Sequence, residues 1–85
     1  MIPVTLAQIA ALTGGVVVGT DDPDAVLVTG DVVTDSRAAQ AGALYVARIG
    51  EHADGRAFIP SALANGAVAA LVSRVAPDEV PQVVV

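Results

Sequence analysis

An uninterrupted apolar segment is the feature that most constrains how this chain can fold. Residues 67–73 read Ala-Val-Ala-Ala-Leu-Val-Ser, with no polar side chain before the last position. A strand that is covered on both faces has this pattern, whereas a strand with one solvated face alternates apolar and polar residues. Only two aromatic residues, Tyr45 and Phe58, are present, so small branched side chains must fill the core. The sequence therefore predicts thin, closely packed layers of sheet and helix.

Two short helices are predicted, one on each side of the polar middle of the chain. Residues 5–8, Thr-Leu-Ala-Gln, have the pattern of a capping box, which predicts a helix over residues 6–13. Gly14 then lies where a left-handed C-terminal cap belongs. A second helix is predicted over residues 57–65, with Pro60 in its first turn, where a missing N–H does no harm. We expect its inward-facing side chains to be those of Phe58, Ala62 and Leu63.

Segments rich in β-branched residues alternate with these helices and predict the strands. Residues 26–34 are interrupted at Thr29-Gly30, which indicates a β-bulge or a tight bend at Gly30. The predicted strands cover residues 15–18, 26–28, 31–34, 43–48, 67–73 and 82–85. This order of elements predicts a small layered α/β domain with a mixed β-sheet of four to six short strands and two helices.

Composition excludes several classes of function. The formal net charge is −5 and the four cations are all Arg, which is too few for the broad basic face of a duplex nucleic-acid binder. With no Cys and a single His, the chain has neither a disulfide framework nor the ligands of a zinc site. No apolar run reaches 18 residues, so no membrane insertion is expected. We expect one soluble, cytoplasmic domain with no metal site.

Polar side chains suited to ligand binding are concentrated in two segments, Thr34–Arg37 and Gly50–Arg56. The Ser36 hydroxyl can donate and accept, and Arg37 or Arg56 can present a fork of N–H donors to anionic oxygen. These residue types suit a polar ligand that carries phosphate. The alternative interpretation is structural, with Asp35 and Arg37 pairing or capping the backbone. The residues alone leave both interpretations open.

Catalytic interpretations of the same residues are weaker. Ser36, His52 and Asp54 supply the residue types of a hydrolase triad, but Ser36 does not lie in a Gly-x-Ser-x-Gly turn. A phosphate loop of the Gly-x-x-x-x-Gly-Lys type is also absent, and the chain has no Lys to serve in one. We therefore expect no catalytic residue in this chain.

Taken in order, the polar and glycine-rich segments resemble the N-terminal domain of Mur ligases. The family pattern runs Asp-Ser-Arg, Pro-Gly-Asp-Leu-Phe, Gly-x-x-x-Asp-Gly-His-x-Phe and a late Gly-Ala. The matching segments are 34–37 (Thr-Asp-Ser-Arg), 42–47 (Gly-Ala-Leu-Tyr-Val-Ala), 50–58 (Gly-Glu-His-Ala-Asp-Gly-Arg-Ala-Phe) and 62–67 (Ala-Leu-Ala-Asn-Gly-Ala). The chain departs from the pattern at Ala41, where Pro is usual, at Ala43, where Asp is common, and at Arg56, where His is usual.

The resemblance implies that residues 1–85 are a single UDP-sugar-binding domain at the N-terminus of a three-domain ligase. Such a domain holds the UDP end of a UDP-N-acetylmuramoyl-peptide, while central ATPase and C-terminal domains supply ATP, magnesium and the acceptor site. The carried-over substrate contacts are Thr34, Ser36, Glu51, His52, Ala53 and Arg56, and the residues expected to support the turns are Asp35, Arg37, Asp54 and Gly55. Arg48 is a further candidate phosphate partner by its charge alone.

Two alternatives to this function remain open at the level of sequence. The opening helix and Gly-Gly strand are more like the MurF branch of the family, which adds D-alanyl-D-alanine, whereas Arg56 is closer to the MurE branch, which adds the third amino acid. The other alternative is a non-catalytic adaptor whose exposed terminal strand, residues 82–85, pairs with the sheet edge of a partner. A chain that ends on three Val residues is also expected to be part of something longer.

Overall fold

The main layer of the protein is a mixed five-stranded sheet. The computed structural model describes residues 3–48 and 54–85. The strands of this sheet are β2 (Val16–Val18), β4 (Val32–Val33), β5 (Leu44–Ala47), β6 (Ala69–Val72) and β7 (Gln82–Val84). Their order across the sheet is β2-β7-β6-β5-β4, in which β4 to β7 are parallel to one another and β2 is antiparallel to β7. The predicted α/β class with a mixed sheet is confirmed.

A second, two-stranded sheet joins the start of the chain to its middle. β1 (Val4–Thr5) pairs antiparallel with β3 (Leu27–Val28). The sequence analysis missed β1, and it predicted the break between β3 and β4 but not that the two strands belong to different sheets. The interruption is a tight bend, in which the Thr29 and Gly30 amides both donate to the Gly42 carbonyl, at 3.1 and 2.9 Å. Two amides that share one acceptor turn the chain from one sheet into the other.

The first helix, α1 (Leu6–Thr13), has the predicted bounds and caps. The Gln8 amide donates to Thr5 Oγ1 at 3.1 Å, and the Thr5 amide donates to Gln8 Oε1 at 2.8 Å. This reciprocal pair satisfies two amides that have no acceptor within the helix. Gly14 ends α1 in the left-handed conformation, with φ of 72°. None of the helices among the described residues is long and apolar enough to cross a membrane.

The second helix, α2 (Ile59–Ala64), is shorter than the sequence predicted. A 3₁₀ helix, Gly55–Phe58, precedes α2, and Pro60 lies in the first turn of α2, as expected. The prediction that Phe58 packs inward is wrong, since this side chain is 48% exposed while Ile59 is 1% exposed. The tighter 3₁₀ turn ahead of α2 changes which side chain faces the sheet. Ala62 is fully buried and Leu63 is partly buried, as predicted.

Both faces of the main sheet are covered, as the apolar run in β6 predicted. Ala69 belongs to a cluster with Leu6 and Ala10 of α1 on one face, whereas Ala70 and Val72 belong to the cluster on the other face. The second cluster is built around Tyr45, Ile59 and Ala62 together with six further small residues, Ala39, Ala43, Ala47, Ala67, Ala76 and Val80. The sheet is therefore the middle of three layers.

The terminal strand is not an exposed edge. β7 pairs with β2 on one side and with β6 on the other, and Val83 is fully buried. The alternative in which residues 82–85 add to the sheet of a partner is therefore wrong for this fold, because both rows of backbone groups already have partners.

Gly66 and Gly14 differ in the space that a side chain would have at each position. Gly66 has φ of 112°, and a methyl group added to it would lie 2.7 Å from Ala41 N and 2.8 Å from the Gln40 carbonyl carbon. Gly14 has a similar left-handed conformation but open space around it. We expect Gly14→Ala to lower the free energy of unfolding by about 1 kcal/mol, from backbone strain alone. Gly66→Ala should cost about 3 kcal/mol, because overpacking adds to the strain. Urea titration of both variants checks this, and equal losses would contradict it.

Candidate functional site

The segment Thr34–Arg37, which contains part of the predicted ligand site, lies at one edge of the main sheet. Because β4 to β7 are parallel, their carboxyl ends meet there, and ligands of open α/β sheets characteristically bind at such an edge. A depression of about 580 Å³ opens at this edge. The described residues that line it are Thr34, Asp35, Ser36, Arg37, Tyr45, Phe58 and Ser61.

One wall of the depression is the first Asp-Arg turn, which we define as Asp35 with the 3₁₀ helix Ser36–Ala38 that follows β4. Asp35 Oδ1 accepts the Arg37 amide at 2.9 Å and so caps the 3₁₀ helix. The Arg37 guanidinium binds the same carboxylate in a fork, with Nε at 3.1 Å from Oδ1 and Nη2 at 2.9 Å from Oδ2. The Arg37 side chain is 88% exposed, so its remaining N–H groups face solvent beside the depression.

The second Asp-Arg turn, Asp54 with the 3₁₀ helix Gly55–Phe58, repeats this arrangement. Asp54 Oδ1 accepts the Arg56 amide at 3.0 Å, and the Arg56 guanidinium pairs with the same carboxylate. Arg56 Nη1 also donates to the Val75 carbonyl at 3.1 Å. In both turns an Asp side chain accepts the amide of the Arg two residues later. Because this hydrogen bond is local, the pattern Asp-x-Arg gives the same turn at both places in the chain.

Ser36 is the polar residue whose environment best fits a ligand contact. It is buried, and Asn65 Nδ2 donates to its carbonyl at 3.0 Å, which ties the first turn to the end of α2. Within residues 3–48 and 54–85, no side chain or backbone group is a hydrogen-bond partner of the Ser36 hydroxyl. A hydroxyl group at the depression without a described protein partner can donate to and accept from a ligand.

The carboxylates of both turns are held in the charged form. The Arg37 side chain, followed by its amide, lowers the pKa of Asp35, and the Arg56 side chain and amide do the same for Asp54. Burial raises the pKa of Tyr45, and the charges of Asp35 and Asp54 add to that shift. At neutral pH the two carboxylates are therefore ionised acceptors and the Tyr45 hydroxyl is a protonated donor.

The structure separates the residues that the sequence analysis had grouped together. Thr34, Ser36, Asp35 and Arg37 line the depression. Arg56 instead lines a separate depression of about 320 Å³ with Asp54, Ala57, Pro60, Pro77 and Asp78, and its guanidinium is already held by Asp54 and Val75. The predictions for Glu51, His52 and Ala53 concern positions outside the described residues.

Three lining residues were missed as site candidates by the sequence analysis, namely Tyr45, Phe58 and Ser61. Phe58 was assigned to the inward face of the second predicted helix, and Tyr45 was counted only as part of a strand and of the family pattern. Ser61 lies on the solvent side of α2, and no feature of its sequence context distinguishes it. In the described part of the chain, no group of three or more acidic, His or Cys side chains is arranged to hold a metal ion.

Comparison with known proteins identifies the family. The model of the Mur ligase family, catalytic domain, matches residues 30–84. The chain belongs to the Mur ligase family. Over its whole length it is 45% identical to the UDP-N-acetylmuramoyl-tripeptide–D-alanyl-D-alanine ligase of Mycobacterium tuberculosis and 39% identical to that of Escherichia coli. It spans only 17% and 18% of the length of these Mur ligases.

A solved Mur ligase structure has the same fold as this chain. MurF from Acinetobacter baumannii is 32% identical and superposes with a TM-score of 0.82 over 98% of this chain, which corresponds to 18% of that protein. The family resemblance and the small α/β fold that it implied are therefore confirmed.

The pairing in the two turns predicts how their carboxylates titrate. In Arg37→Met the pKa of Asp35 should rise toward its ordinary value while that of Asp54 stays low, and Arg56→Met should do the reverse. Since both pKa values are lowered on folding, the stabilisation is present above the ordinary pKa and is lost as the pH falls through the folded value. Carboxyl-carbon NMR titrations of the two variants serve as controls for each other. If the pKa of Asp35 does not change in Arg37→Met, the pairing is refuted.

Proposed function

We propose that this chain is the N-terminal domain of a MurF-type ligase and that it holds the UDP end of UDP-N-acetylmuramoyl-tripeptide. The observation that carries the proposal is the identity of 39–45%, over the entire chain, with ligases named for that substrate and for D-alanyl-D-alanine. The depression at the carboxyl edge of the sheet supports it, since hydroxyl groups, aromatic side chains and the remaining N–H groups of Arg37 suit a sugar nucleotide.

In the complete protein, the reaction is the ATP-dependent joining of the tripeptide carboxylate to the amine of D-alanyl-D-alanine. ATP and magnesium are held by residues outside this chain, because the chain has no Lys and no glycine-rich phosphate loop. The central ATPase domain and the C-terminal domain of the same polypeptide are its partners. The function places the enzyme in the cytoplasm, where its nucleotide substrates are made. The 85 residues bind and orient substrate, and they catalyse no step alone.

In the depression, hydrogen bonds contribute more to the proposed nucleotide binding than net charge does. Arg37 is the cation that lines the depression among the described residues, and Asp35 already neutralises it. The hydroxyl groups of Thr34, Ser36 and Ser61, which also line the depression, are uncharged. They can bond the neutral ribose and uracil groups, while the remaining N–H groups of Arg37 can reach an anionic oxygen. Glu51, His52 and Ala53 stay predicted contacts, as does Arg48.

An activity assay tests the proposed function directly. The full-length polypeptide should release phosphate from ATP when it is given UDP-N-acetylmuramoyl-tripeptide and D-alanyl-D-alanine together, and the omission of either substrate is the control. A MurE-type enzyme would instead require the dipeptide precursor and a free amino acid. Turnover with that second pair, and none with the first, would overturn the MurF assignment in favour of MurE.

A pair of serine variants tests the location of the site. In the full-length enzyme, Ser36→Ala should raise KM for the nucleotide substrate by about 2- to 10-fold, the value of one hydrogen bond, with kcat nearly unchanged. Loss of a contact that is equally strong in the ground and transition states has this kinetic signature. Ser73→Ala is the matched control, because Ser73 is exposed and does not line the depression. An unchanged KM for Ser36→Ala would remove Ser36 from the site.

A further inference from the structure

Tyr45 is a buried residue whose hydroxyl reaches the edge of the sheet where the depression opens. It lies on β5, is 2% exposed, and contributes to the lining. Its hydroxyl donates to the Gly55 carbonyl at 2.8 Å. Gly55 is the first residue of the 3₁₀ helix in the second Asp-Arg turn. This hydroxyl group thus joins β5 to that turn.

Tyr45 lies beside both turns. Its hydroxyl donates to Gly55 of the second turn, and Tyr45 lines the depression together with the first turn. The charges of Asp35 and Asp54 add to the rise in the pKa of Tyr45 that burial causes. The turns follow adjacent parallel strands, since the first comes directly after β4 and the second follows β5 along the chain. Tyr45 is therefore placed where it can set the distance between the two turns.

The position of the second turn determines where one wall of the depression lies. Phe58 is the last residue of the 3₁₀ helix that begins at Gly55, and it lines the depression together with the first turn. The Gly55 amide also donates to the Arg48 carbonyl at 2.6 Å, and Arg56 is held by the Val75 carbonyl. Of these three anchors, the Tyr45 hydroxyl is the one that belongs to a residue lining the depression.

We infer that Tyr45 is a positioning residue for nucleotide binding, and that its bond to the Gly55 carbonyl holds the Phe58 wall at the correct distance from Ser36. This inference rests on the proposed function. The hydroxyl acts through the turn and needs no contact with the ligand. The rival explanation is purely structural: the hydroxyl merely satisfies a carbonyl group, and its loss reduces stability alone.

Two variants that each lose one local hydrogen-bonding group separate these explanations. Tyr45→Phe removes only the hydroxyl. Thr5→Ala removes the capping group of α1, which contributes no residue to the depression, and it should lower Tm. Binding of UDP-N-acetylmuramoyl-tripeptide to each full-length variant is measured by isothermal titration calorimetry, and Tm by differential scanning fluorimetry.

We expect Tyr45→Phe to weaken nucleotide binding by up to about five-fold, because the free energy with which this hydrogen bond holds the turn must then come from binding. Thr5→Ala should bind as the unaltered protein does. If Tyr45→Phe lowers Tm but leaves Kd unchanged, the hydroxyl is only structural and the inference is overturned. If Thr5→Ala weakens binding equally, the effect follows from lost stability, which also overturns it.

Failure of this inference can be told apart from failure of the proposed function. Binding is measured without turnover, so the comparison of variants stands even if the unaltered protein binds the nucleotide but does not join D-alanyl-D-alanine to it. That outcome would overturn the ligase assignment alone. Conversely, full ligase activity with identical Kd values for Tyr45→Phe and the unaltered protein would overturn only the role of Tyr45.

Discussion

The parallel pairing of β5 with β6 and of β6 with β7 dictates where the helices and the polar turns lie. These strands are buried on both faces, so α1 must cover one side and α2 with its 3₁₀ helix the other. Because the strands are parallel, their carboxyl ends lie at one edge. The turn after β4 and the turn that leads into α2 are thereby brought to the same place, and this produces the depression.

Within that edge, hydrogen bonds fix geometry where charges alone would contribute little. An exposed pair such as Asp35–Arg37 is screened by solvent and adds little to stability. Its carboxylate nevertheless accepts the Arg37 amide, which fixes the backbone of the turn. The same holds for Asp54 and Arg56. The acidic partner is thus a structural component of each turn, and the arginine that remains beside the depression carries a charge that is largely neutralised.

The local features of the fold could be predicted because they depend on neighbours in sequence. The capping box at Thr5, the left-handed Gly14 and the apolar β6 each follow from a few adjacent residues. The exposure of Phe58 could not be predicted in this way. A helix that begins at residue 57 would point Phe58 inward, and only the 3₁₀ helix ahead of α2 gives the buried position to Ile59.

Motifs and local hydrogen bonding are enough to identify the family and the layered α/β class, and they predict that the first Asp-Arg turn is part of a ligand site. Which distant residues meet follows from the three-dimensional structure. Arg56 lines a separate depression, whereas Tyr45 and Ser61 line the depression beside the first turn. β7 lies inside the sheet, although an apolar terminal segment is equally compatible with an exposed edge. Strand order and helix rotation depend on packing between segments far apart in the chain, which no local pattern specifies.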